Sequence, residues 1–278
     1  MPIQRIITAV IAIPFLAAAI QWGGPSIFSL IIAVAAGIAL YEFLTMIAVQ
    51  SPISRLFMLA AGVSIVLLVH QCRTRLLYEG LQFQNALAGK LMIISVLLTI
   101  AAMLSLPALY PRKTPLLVAP VINLLGILYI SLFLSYLILL YNGQDGKAWI
   151  FFVLLVLWCN DSGAYACGRT LGRHKLSPLV SPNKTVEGAI GGVVISLIAA
   201  VIAKMFLLKH LSLTQAAALG LVIALAGQAG DLCESALKRH FGLKDSGSVL
   251  PGHGGMLDRI DSLLLAAPFV YYAKLLIV

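Results

Sequence analysis

The chain has 278 residues, 61% of them hydrophobic and only 10% charged, with a formal net charge of +9, and its mean hydropathy is +1.02. Soluble domains average about 45–50% apolar and about 25% charged residues. A water-soluble globule is therefore excluded, and an all-α, polytopic integral membrane protein is expected, because a bilayer offers no water to open backbone groups.

A spanning helix needs roughly 20 apolar residues, and about nine segments qualify: 6–21, 26–48, 55–70, 90–109, 115–141, 148–167, 188–208, 212–233 and 260–277. The first is short, holds Pro14 and follows Arg5. It reads as a retained helix, with a signal peptide as the other reading. Residues 71–89 read as an interfacial helix or a loop. Strand-period alternation is absent, which argues against a barrel. Cys72, Cys159, Cys167 and Cys233 show no metal-type spacing and read as small core thiols.

Positive charge on such a chain points to cytoplasmic loops, anionic headgroups or an anionic substrate before it points to nucleic acid. With nine spans, one side collects twelve of the 19 Lys and Arg residues: Arg5, Arg55, Arg112, Lys113, Arg169, Arg173, Lys175, Lys184, Lys238, Arg239, Lys244 and Arg259. That bias places the N-terminus and the polar loops 168–187 and 234–259 in the cytoplasm.

Seven of the ten acidic residues come after position 160: Asp161, Glu187, Asp231, Glu234, Asp245, Asp258 and Asp261. A carboxylate at membrane depth is costly unless paired or ligated. In AGQAGDLCESALKRH (226–240), Asp231, Glu234 and Lys238 share one helical face, and in LDRIDS Asp258 and Asp261 are three apart. Two helices thus offer acidic pairs whose oxygens suit a hard cation such as Mg²⁺. Each pair also has a plain reading. Asp231 and Lys238 could neutralise one another, and Asp258, Arg259 and Asp261 could be a solvated helix start.

Pro251-Gly252-His253-Gly254-Gly255 precedes the last span. Glycine allows close backbone approach, and N–H groups at a helix start form an anion site. Lys238, Arg239, Lys244 and Arg259 lie near in sequence, the setting for a phosphorylated ligand held with a metal. Upstream, Ser181-Pro182-Asn183-Lys184-Thr185 precedes Glu187 and a glycine-rich helix start. Thr185 is a candidate helix cap, and Lys184 a candidate phosphate contact. No Walker A or GxGxxG sequence is present.

SALKRHFGLKDSGSVLPGHGGMLDRID (235–261) resembles, along its whole length, the signature of the phosphatidate cytidylyltransferase (CDP-diacylglycerol synthase) family. The pattern is Ser-x-apolar-Lys-Arg, four residues, Lys-Asp, then Pro-Gly-His-Gly-Gly and Asp-Arg-x-Asp. NDSGAYACGRTLGR (160–173) and SPNKTVEG (181–188) resemble the family's second block. The resemblance implies an Mg²⁺-dependent reaction, with a second cation left open. CTP and phosphatidic acid give CDP-diacylglycerol and pyrophosphate at the cytoplasmic face of a bacterial-type inner membrane, in a homodimer. It implies Asp231 and Asp258 as leading metal ligands, with Asp261 and Asp161 beside them. Lys238, Arg239, Lys244 and Arg259 would hold phosphates, with Lys184 as an outlying contact, and Asp245 and Thr185 join the site through their motifs. The backbone of Gly252, Gly254 and Gly255 would approach CTP, and His253 would serve the leaving group or fix the loop. Residues 1–147 would be scaffold and lipid access, and residues 148–278 the catalytic part. Two rivals remain at this stage: a CTP-dependent lipid-alcohol kinase, and a transporter with Asp161, Asp231 and Glu234 on a cation path. A CDP-alcohol phosphotransferase lacks its usual DG-x-x-AR block here.

Overall fold

A computed structural model describes residues 2–47, 52–78, 118–249 and 254–277. Helix α1 (Pro2–Trp22) is followed by α2 (Gly24–Met46) and α3 (Pro52–Tyr78). Helices α4 (Val118–Ile127) and α5 (Phe133–Tyr141) run into one another through a π-helical turn, Leu128–Leu132. Then come α6 (Gly146–Leu171), strands β1 (Lys175–Ser177) and β2 (Ser181–Thr185), α7 (Val186–Phe206), α8 (Leu213–His240) and α9 (Leu257–Ile277). Among the described residues, seven helices are long and apolar enough to cross a membrane, which makes this a multi-pass membrane protein. Nine spans were expected. The segment at 90–109 lies outside the described residues, and within α1 the apolar helix Val10–Trp22 is a shorter one. Helix α3 runs on to Tyr78, so the first part of the uncertain stretch 71–89 is helical.

The chain divides into two compact units, one of Met1–Asn142 with Leu237–Arg259, the other of Gly143–Ala236 with Ile260–Val278. The signature segment is thus shared: most of it clusters with the N-terminal helices, and its two ends belong to the second unit.

In the first unit, the core is built from Phe28, Leu40, Phe43, Ile130 and Tyr136, all nearly inaccessible. Phe28 stacks on Tyr141 with ring centroids 4.3 Å apart, and the Tyr141 hydroxyl donates to the Ile20 carbonyl at 2.9 Å. Gly126 lies flat against the Phe43 ring, where any side chain would collide.

In the second unit, α6 and α7 pack through facing glycines. A Cβ on Gly188 would sit 2.8 Å from the Ala164 carbonyl oxygen and 3.1 Å from the Cα of Gly168. Small residues at such contacts let helix backbones approach without a hydrophobic driving force. Between these helices the chain makes an antiparallel hairpin, pairing Lys175 with Thr185 and Ser177 with Ser181. This region reads as a plain polar loop in sequence, since strands of three and five residues, one containing Pro182, give too little alternation to register.

Candidate active site

The second unit contains a cavity of about 500 Å³ lined by Asn160, Asp161, Lys184, Thr185, Gln228 and Asp231, among others. Helix α6 brings Asn160 and Asp161, β2 brings Lys184, and α8 brings Gln228 and Asp231. Lys184 Nζ lies 2.6 Å from Asp231 Oδ2, with side-chain exposures of 27% and 34%. Lys184 Nζ itself is shielded from solvent, while the Asp231 side chain is a third exposed on the cavity side. Ser235 Oγ also faces Asp231 Oδ1, at 3.4 Å. Deeper in, Gln228 Nε2 donates to Asn160 Oδ1 and to the Ala189 carbonyl, both at 2.9 Å. Asn160 is buried and reaches Asp161 Oδ1 only at 3.4 Å.

Two side chains hold the entrance of α7. Thr185 Oγ1 accepts the Gly188 N–H at 3.1 Å, so Thr185 is the helix cap that its sequence position suggests. Glu187 accepts the backbone N–H groups of Arg173 at 3.0 Å and His174 at 3.2 Å, and its carboxylate meets His174 Nδ1 at 2.6 Å. The hairpin that carries Lys184 is thereby tied to the helix at its base.

The oxygen donors fit a hard cation. Asp161 and Asp231 line one cavity together with amide oxygens. Mg²⁺ takes one or two carboxylates, keeps several waters and shares substrate phosphates. A full protein cage is not required, and among the described residues no group of three or more His, Cys, Asp or Glu is placed to form one.

In the first unit, the end of α8 and the start of α9 form a tight knot. The Asp258 side chain is only 8% exposed and pairs with Lys238 Nζ at 2.6 Å. It also accepts the N–H of Ser246 at 3.0 Å and of Gly255 at 2.9 Å. Asp258 is therefore no solvated helix start. Nor does Asp231 draw its lysine from its own helix; its partner is Lys184. Two of the N–H groups expected to be open at the start of the last helix are taken. Met256 and Leu257 donate theirs to the Glu42 carboxylate, each at 2.9 Å. A phosphate would find those donors taken.

The other expected residues are placed as follows. Arg239 is exposed and donates to the Leu243 carbonyl at 2.9 Å. Lys244, Asp245 and Arg259 are exposed, and Glu234 is buried. Gly254 adopts φ +81°, the left-handed conformation for which glycine is suited. Asp261 is half-buried in the second unit, where its Oδ1 accepts the Ser262 N–H at 2.6 Å. Gly252 and His253 lie outside the described residues. Four polar residues escape the sequence reading: Glu42, Asn160, Gln228 and Ser246. Glu42 had a signal, a lone carboxylate inside the apolar run GIALYEFLTM.

Comparison with known proteins adds a family. The model of the cytidylyltransferase family matches residues 3–277. The chain is similar to the phosphatidate cytidylyltransferase of Bacillus subtilis strain 168, with 47% identity over 149 residues, covering 53% of this chain and 55% of that one. It is 46% identical over 127 residues to the phosphatidate cytidylyltransferase of Staphylococcus epidermidis RP62A, covering 46% and 49%. With that of Staphylococcus saprophyticus it shares 44% over 147 residues, covering 53% and 56%. The chain thus spans about half the length of the curated relatives it matches.

Proposed function

The chain belongs to the cytidylyltransferase family, and from that membership we propose that it transfers the cytidylyl group of CTP to phosphatidic acid, giving CDP-diacylglycerol and pyrophosphate. The observation that carries the reading is the cavity in which Lys184 of the hairpin meets two carboxylates from within the membrane helices α6 and α8. That combination suits a polyphosphate accompanied by a cation.

The attacking group is the lipid's phosphate monoester. Its second pKa is about 6, so it is largely a dianion near neutrality and no strong base is needed. Its oxygen bonds to the α-phosphorus of CTP, the bond from that phosphorus to the bridging oxygen breaks, and pyrophosphate leaves with the electron pair. Two anions must approach, and charge grows on the leaving group, so positioning and electrostatics dominate. Lys184, freed from Asp231 when a ligand enters, would neutralise phosphate oxygens as a point charge. Asp231 and Asp161 would hold Mg²⁺, with Asp261 as a further carboxylate of the second unit, and Asp258 would serve the reaction from the signature segment, where it holds Lys238. The cation, when bound, draws charge from the polyphosphate. Arg239, Lys244 and Arg259 are the exposed cations near the signature segment and would meet headgroup or nucleotide phosphates. The same proposal places the site at the cytoplasmic face of the inner membrane, with the N-terminus inside and two copies in the working enzyme.

The test uses purified protein in detergent with phosphatidic acid, Mg²⁺ and CTP labelled in the α-phosphate. Label in a lipid product with unlabelled pyrophosphate is the expected result. Label in soluble CDP would mean phosphoryl transfer or hydrolysis. CTP left intact by folded protein would return the transport reading.

A further inference from the structure

Glu42 sits on α2, far from the signature segment in sequence and only 3% exposed. A buried carboxylate is costly unless hydrogen-bonded. This one takes the N–H of Met256 on Oε1 and the N–H of Leu257 on Oε2, both at 2.9 Å, and the Ser246 hydroxyl on Oε2 at 3.1 Å. The first N–H groups of a helix lack intrahelical acceptors and carry the positive end of its dipole. Glu42 therefore caps α9 from 215 residues away.

The glycines of the loop are shaped around this carboxylate. A Cβ on Gly247 would lie 2.6 Å from Glu42 Oε1, and one on Gly255 would lie 2.6 Å from Glu42 Oε2. Ser246 gives its hydroxyl to Glu42 and its N–H to Asp258. Gly255 gives its N–H to Asp258, and the next two residues give theirs to Glu42. Two carboxylates thus clamp both arms of the loop, and Asp258 in turn holds Lys238.

We propose that Glu42 is a positioning residue for the cytidylyl transfer: it locks residues 246–247 and 254–258 so that Asp258 and Lys238 are held in working geometry. The proposal rests on the function argued above, and it gives the N-terminal helices a part in the chemistry beyond scaffold.

The test is Glu42→Gln in the full chain. Glutamine keeps the shape but turns an NH₂ toward N–H and O–H donors. Displacement of a catalytic constellation by about 1 Å can cost on the order of 100-fold. A fall of that order in kcat is expected, with KM for CTP changed by less than about threefold, in protein that still chromatographs as folded. Amide deuterium exchange, read on the segment 254–258, should accelerate. A merely structural role would lower the folded fraction without this split. Near-normal kcat overturns the proposal, and so does unchanged exchange, whatever the activity. Should Glu42→Gln fail to fold, Ser246→Ala removes one of the three bonds, and the same two readings apply: a smaller loss of kcat with faster exchange supports the clamp, and no change overturns it. Wild-type protein that moves no label from CTP sinks the functional reading instead, and the exchange result then judges the clamp alone.

Discussion

Lys238 and Asp258 form a pair with side-chain exposures of only 11% and 8%. Breaking a buried pair by removing one partner costs about 3–5 kcal/mol, because the survivor keeps its charge. Asp258→Asn is therefore expected to reduce turnover by at least about 100-fold while the protein still inserts. Near-normal turnover of the purified variant would remove Asp258 from the chemistry. Asp231 differs, being a third exposed and facing a cavity. Asp231→Asn should raise the Mg²⁺ concentration for half-maximal activity by about tenfold or more, and a titration of both variants separates their roles. A shift in Asp231→Asn alone places the cation at the cavity carboxylates. A shift in both brings Asp258 into its shell, and no shift in either ends the metal assignment. The residue types at these positions were legible in the sequence, since carboxylates and lysines stand out in an apolar chain. Their partners were not. Helical spacing joins Asp231 to Lys238, but pairing is decided by what the fold brings near, and β2 delivers Lys184.

Elements built from long apolar runs were legible because membrane span length is a physical constant of the bilayer. Helices α2, α7 and α9 begin and end within a few residues of the expected limits. The hairpin was invisible for the opposite reason, being held by its ends. Val186 N–H donates to the His174 carbonyl at 2.9 Å, and Glu187 gathers the N–H groups of Arg173 and His174. Such local ties leave no periodicity to read. The glycines that start α7 carry a clear consequence. Gly188 faces backbone of α6, with the Ala164 carbonyl oxygen 2.8 Å from any added Cβ, and backbone cannot swing aside. Gly188→Ala should cost about 1–3 kcal/mol of stability, and Thr185→Ala, which loses the cap, about 1 kcal/mol. Thermal unfolding in detergent reads both. An unchanged midpoint for Gly188→Ala would mean that α6 and α7 do not pack this closely.

For the whole molecule, the prediction concerns orientation in the bilayer, and two exposed sites of the second unit test it. Its hairpin joins α6 to α7, and α7 ends near the turn that carries Lys209, so one spanning helix separates the two sites. Leu179 lies at the hairpin tip and is 92% exposed, while Lys209 is exposed at the other end. Arg169, Arg173, Lys175 and Lys184 lie on the hairpin side and Lys147, Lys204, Lys209 and Lys274 toward the other helix ends, so the bias comes from Lys238, Arg239, Lys244 and Arg259, one further span along the chain. Lysine and arginine are retained in the cytoplasm, and CTP is a cytoplasmic substrate in the proposed reaction. Both lines predict that the cavity carboxylates face the cytoplasm. In a variant lacking native cysteines, Leu179→Cys should resist a membrane-impermeant thiol reagent in intact cells and react in inverted vesicles, and Lys209→Cys should do the reverse. The opposite pattern would turn the hairpin outward and deprive the cavity of CTP. Equal labelling of both sites from one side would mean that α7 does not cross the membrane. Charge bias carries this prediction because loop lysines and arginines interact with the membrane field independently of helix packing. The clamp made by Glu42 was signalled only by a lone carboxylate in an apolar run, and such a residue identifies its partners only once the chain has folded.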